Sequence, residues 1–140
     1  MITATLQNNL APKLAAWTKA AQSGLKAGAT AGAAVFEGRA KENAPVVTGR
    51  LRDGIHTETV ADTDTQQVLM VTPVVAAGNK YGFEPPYARR IELGFIGVDS
   101  LGRHYHQPPE PYMRPAFDEG SAEALQALQG GVMDALKEVA

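Results

Sequence analysis

The chain has 140 residues, enough for one domain with one modest core. Its 13 Lys and Arg against 15 Asp and Glu leave a net charge of −2, without the basic excess of a general nucleic-acid binder. It has no cysteine, which excludes disulfides, thiolate metal sites and a cysteine nucleophile. Apolar residues make up 44%, much of it alanine, and aromatics only 6%. That composition favours closely packed helices over a deep core. No run approaches the roughly 20 apolar residues of a membrane span, and the N-terminus lacks the basic-then-apolar profile of a signal peptide. The expectation is one domain over 1–140, cytosolic at synthesis, with no membrane partner.

Residues 3–43 read as helix. Leu6, Leu10, Leu14, Trp17, Ala21 and Leu25 recur at helical spacing. Pro12 marks a first turn or a kink, which predicts a short leading helix and a longer second one. Gly24, Gly28 and Gly32 fall four apart. They predict either a flat face where another backbone comes close or a helix that is weak there, at roughly 1 kcal/mol per glycine. Pro45 ends the helix and holds Ala44 out of the α region. Thr48 is placed to cap a new turn, with Gly49 and Gly54 as permissive joints. Arg50, Leu51 and Arg52 put one apolar anchor between two cations.

From 55 to 107 the pattern is sheet and loop. Ile55–Val60 alternates, Asp62-Thr63-Asp64 is a turn, and 67–75 is β-rich, predicting an antiparallel hairpin with Pro73 at an edge or bulge. A loop follows over 76–86, with Gly78-Asn79-Lys80 as its turn. Tyr87, Ala88 and Ile91 share a face, predicting two helical turns that stop at Gly94. Residues 95–107 read as a second hairpin, with Asp99–Gly102 at its tip as a candidate mobile arm. The prolines of 108–111 stiffen a connector, and Pro115 suits a first helical turn. A last helix over 115–139 carries the stripe Leu125, Leu128, Val132, Leu136 and Val139, with Gly130-Gly131 placed to bend it. The predicted class is α+β: an N-terminal and a C-terminal helix on a small, mainly antiparallel sheet, with an extended hairpin arm.

Catalytic patterns are scarce. His104 and His106 would share a strand face, with His56, Glu92 or Glu110 as a third metal ligand. Exposed histidines on a polar hairpin flank are the plainer account, since no HExxH or similar spacing accompanies them. No serine sits in a nucleophile-elbow context, and no phosphate loop is present. Neither an enzyme nor a cofactor is expected. Arg39, Lys41, Arg50 and Arg52, joined by Arg89 and Arg90, form either a cationic face toward phosphate or acidic protein, or scattered charge paired with Glu37, Glu42 and Asp53.

Three segments taken in order are more specific: Asn43 to Ile55, then Tyr87-Ala88-Arg89-Arg90-Ile91-Glu92-Leu93-Gly94, then Pro108 to Asp118. Together they resemble the head–tail joining family, the neck or tail-completion proteins of long-tailed phages and prophages. This sequence departs from the family pattern at Val47, where Asp is usual before Thr-Gly, at Gly54 for Ser, at Tyr112 for Phe, and at Phe95 for Thr. The resemblance implies a virion protein, made in the host cytoplasm, that forms a ring of identical copies, six or else twelve. Its partners would be itself, neighbouring neck, connector, tail-terminator or tail-tube proteins, and DNA passing through the lumen. Pro45, Gly49, Leu51, Ile55, Tyr87, Ile91, Gly94, Pro115 and Phe117 are the expected structural anchors. Arg50, Arg52, Arg89, Arg90, Glu92, Tyr112 and Arg114 are the expected interface or channel residues. The alternative is a nucleic-acid-binding module using Arg50, Arg52, Arg89 and Arg90.

Overall fold

The computed structural model describes residues 9–47, 49–73 and 86–140, with the side chains of all but Pro86 and Tyr87. The order is α1 (Leu10–Asn43), α2 (Arg50–Gly54), β1 (Ile55–Asp62), β2 (Gln67–Pro73), α3 (Pro86–Leu93), β3 (Phe95–Val98), β4 (His104–Gln107) and α4 (Met113–Lys137). This is an α+β fold. The expected leading helix before Leu10, the cap at Thr48, the Gly78 turn and the anchor side chain of Tyr87 lie outside the described residues.

α1 is one helix of 34 residues, about 50 Å at 1.5 Å per residue. Pro12 sits in its first turn, where a missing N–H costs nothing. α1 and α4 run antiparallel. A Cβ at Gly24 would lie 2.8 Å from the backbone of Gly131, and one at Gly28 would lie 2.5 Å from the Leu128 carbonyl oxygen. Gly32 faces Ala124, and Gly120 faces Phe36 and Arg39. The glycine row is therefore the contact face itself: the absent side chains let two backbones meet and gain dispersion contacts along their length. Gly131 belongs to the same contact, and α4 passes through Gly130-Gly131 as one helix, without ending there.

The α1 leucine stripe lies off this face, whereas Leu128 and Val132 of the α4 stripe are half-buried against Gly28 and Gly24. Leu10, Leu14, Trp17, Leu25 and Leu125 are about half exposed or more, while Ala20, Gly24, Gly28, Gly32, Ala33 and Ala40 are the buried positions of α1. Periodicity marked the helices correctly, but backbone proximity selected small residues for the interface and left large ones outside.

β1 and β2 form the expected antiparallel hairpin, with Ile55 opposite Pro73 and a register shift between Thr59 and Ala61. Pro73 is the last residue of β2, where its missing N–H interrupts no further pairing. The hairpin lies against α1, and its tip is tied there by Lys26 to Asp62 at 2.6 Å. β3 and β4 form a second, separate two-stranded sheet, so the small sheet expected from the sequence is two hairpins.

The helix contact sets one expected outcome. Gly28→Ala should lower stability by about 1–3 kcal/mol, because the new methyl meets backbone that cannot rotate away. Gly130→Ala, with nothing within 4 Å, should raise it by up to about 1 kcal/mol. Denaturant unfolding of the two variants measures both signs.

Candidate assembly surfaces

The three recognisable segments meet in one core. Ala44, Leu51 and Ile55 come from the first, Ala88 and Ile91 from the second, and Tyr112, Met113 and Ala116 from the third, closed by Ala40 of α1. Gly49 makes the first turn by adopting φ +78° at the N-cap of α2, a conformation costly for any residue with a Cβ. Gly94 does the same at φ +75°, ending α3 as expected and sending the chain into β3.

Glu92 joins the second segment to the third. Its carboxylate accepts the backbone N–H groups of Tyr112 (2.7 Å), Met113 (2.9 Å) and Arg114 (3.1 Å). These open α4, whose own N-cap residue Tyr112 supplies no side-chain cap. Three orphan donors and the positive end of the helix dipole are thus met by one anion from another helix. A further backbone bond, Glu110 N–H to the Ile91 carbonyl at 2.7 Å, closes the same junction. Expected on an interface or channel, Glu92 is committed to a bond inside the chain. Tyr112, expected there too, is 1% exposed and is a core side chain. Its ring fills the space where the three segments converge.

The cations divide. Arg52 pairs with its neighbour Asp53 at 3.0 Å, and the Arg90 guanidinium lies 4.1 Å above the Phe95 ring. Arg50, Arg89 and Arg114 are exposed and make no ion pair among the described residues. Of the anchors, Leu51 and Ile55 are buried, Pro45, Ile91 and Pro115 are half-buried, and Phe117 is 61% exposed while stacking on Phe36 at 5.4 Å. Val47 is 95% exposed. His104 and His106 share a face of β4, and no group of three metal-ligating side chains converges among the described residues.

Two surface features were not legible in the sequence. One is an apolar groove of about 530 Å³ between α1, α4 and β2, walled by Phe36, Leu69, Phe117, Leu125 and Leu128 over a floor of Gly28, Ala29, Gly32 and Ala33. The other is the hydrogen bonding within the β3–β4 tip, the segment offered by the sequence as a candidate mobile arm. The Asp99 carboxylate accepts the N–H groups of Leu101 and Arg103, the Arg103 side chain at 2.6 Å and the Tyr105 hydroxyl. These bonds, the Arg103 backbone first, hold its pKa below the usual value. An aspartate at the first position of a Gly-containing turn was the available signal.

At the base of the first hairpin, His56 lies 2.9 Å from the Gly54 carbonyl and 3.0 Å from the Glu58 carboxylate. Both acceptors, Gly54 first, raise its pKa. Glu37 accepts from Lys41 and from Thr57, and the Lys41 bond chiefly lowers its pKa.

With this geometry in place the comparisons fall into line. The family model described as "Bacteriophage HK97-gp10, putative tail-component" matches residues 8–94, more than half of the chain. The chain belongs to that family, a class of phage structural proteins, and the match spans the first two of the three converging segments. No curated protein and no solved structure matches it. No helix of the described residues is long and apolar enough to cross a membrane.

Glu92→Ala should cost about 1–2 kcal/mol, the usual scale of a lost N-cap, and Glu92→Gln less, since one acceptor oxygen remains; thermal unfolding reads both. The stabilisation from His56 is complete below its unfolded pKa near 6.5 and is lost as pH rises through its higher folded value. The melting-temperature gap between the native chain and His56→Ala should therefore shrink on going from about pH 5 to pH 8.

Proposed function

We propose that this chain is a single-domain ring subunit at the neck or tail end of a long-tailed phage, joining or completing the head–tail interface around the DNA channel. It acts by docking rather than by catalysis and holds no cofactor. Its partners are further copies of itself, six by preference, and the neighbouring connector and tail proteins. The observation that carries this is the membership in a phage tail-component family together with the convergence of the three head–tail-joining segments on one core. The apolar groove and the exposed Ile96, Val98 and Leu101 of the β3–β4 hairpin are unlike features on one chain, which suits a head-to-tail interface needing a different patch for each neighbour. The unpaired Arg50, Arg89 and Arg114 are the cations we assign to a neighbouring subunit or to the channel wall. A net charge of −2 agrees with a lumen that lets DNA slide, since each phosphate contact adds salt-sensitive affinity.

A phage deleted for this gene should accumulate filled heads and separate tails, and expression of the chain in trans should restore joined, infectious particles. Normal yields of joined particles from the deletion would end this reading.

A further inference from the structure

Resting on the ring reading, we propose that the tip of the β3–β4 hairpin of one copy seats in the α1–α4–β2 groove of the next copy. The groove has the chemistry for such a guest. None of the side chains lining it is charged, and glycine and alanine keep its floor low between the α4 and β2 walls. A guest bearing a free charge would lose its hydration there without return.

The hairpin tip brings no free carboxylate. Asp99 is its one acid, and it is neutralised by Arg103 and saturated with internal hydrogen bonds. Around it stand Ile96, Val98 and Leu101, 78%, 56% and 75% exposed. Ile96 and Val98 share one face of the hairpin, where they pair across with His106 and His104, and those histidines form a polar rim. This apolar surface is costly to leave in water on a projecting element. The hairpin makes no extensive contact with any other described element, so none of the described elements covers it. The Asp99 bonds fix the tip before docking, which lowers the ordering cost of association.

A polar detail agrees. The Gln67 side-chain oxygen, on the β2 wall of the groove, is buried with no donor among the described residues. The Ser100 hydroxyl at the tip is exposed and unpartnered among them, and a seated tip brings a donor to that wall. The groove is lined by no residue of the hairpin, so hole and knob are separate patches on each copy. Repetition of one such contact builds a head-to-tail series that closes when the rotation allows.

The test uses the absence of native cysteine. A chain carrying both Leu101→Cys and Leu125→Cys, two exposed positions, is supplied in trans to the deleted phage. Purified particles are oxidised and run on a non-reducing gel. A ladder of covalent multimers, reduced to one or two bands in the single-cysteine variants, is the expected result. Multi-copy rings seen by particle imaging with no ladder overturn the hairpin contact and leave the ring reading standing. A single copy per particle overturns both. Independently, Leu101→Lys and Leu125→Glu should each cut the yield of joined particles at least tenfold, and the two together should restore most of it. Failure of the pair to restore yield, with each purified chain folded by circular dichroism, also overturns the contact.

Discussion

The approach of two helix backbones organises this protein. Where Gly24 and Gly28 of α1 meet Gly131 and Leu128 of α4, there is no room for a single added methyl group. A helix gives up intrinsic stability for each glycine it carries. The return is an interface of high contact density built without large side chains, which suits an alanine-rich chain with few aromatics. Because the large residues are not needed between the helices, they are released to the outside, where they wall the groove. The fold and its apolar surface thus follow from the same constraint.

The second level of organisation is the core formed by the three short segments. It is small and rests on Tyr112 and Ile55 as its largest fully buried side chains. α1 reaches it at Ala40 and at its C-cap Ala44, so the long helix pair and the compact junction share one end. From this junction come the first hairpin, laid along α1 and tied to Lys26, and the second, which makes no extensive contact with the other described elements. The fold thus joins a compact core to several distinct surfaces.

Much of the fold could be read from residue order. Helical spacing found α1 and α4, alternation found the first hairpin, Pro45 and Gly94 marked helix ends that the structure places at the same points, and Pro115 falls in the first turn of a helix that begins two residues earlier, at Met113. What escaped had a common physical origin, since it depended on which face meets which. The 3.6-residue stripe of leucines is a genuine helical pattern, yet the glycine row on a neighbouring face governs the packing. Glu92 reads in sequence as a candidate interface or channel residue. Its role appears only when α4 begins beside it, twenty residues on, with three N–H groups lacking acceptors. Arg90 likewise reads as a free cation until Phe95 is seen beneath it, whereas the pairing of Arg52 with Asp53 is one of the two readings the sequence offers.

The Glu92 bond to the start of α4 has a consequence for how such a protein can change over time. Together with the Ile91–Glu110 backbone bond, it pins the two ends of the segment that carries β3 and β4. The loop between them is closed at its root by the core itself, and the closure does not depend on what the loop contains. Residues 95–107 can therefore lengthen, shorten or be exchanged as a cassette while the three-segment core stays intact. Variation in the hairpin would alter one surface of the protein without reopening the question of whether it folds.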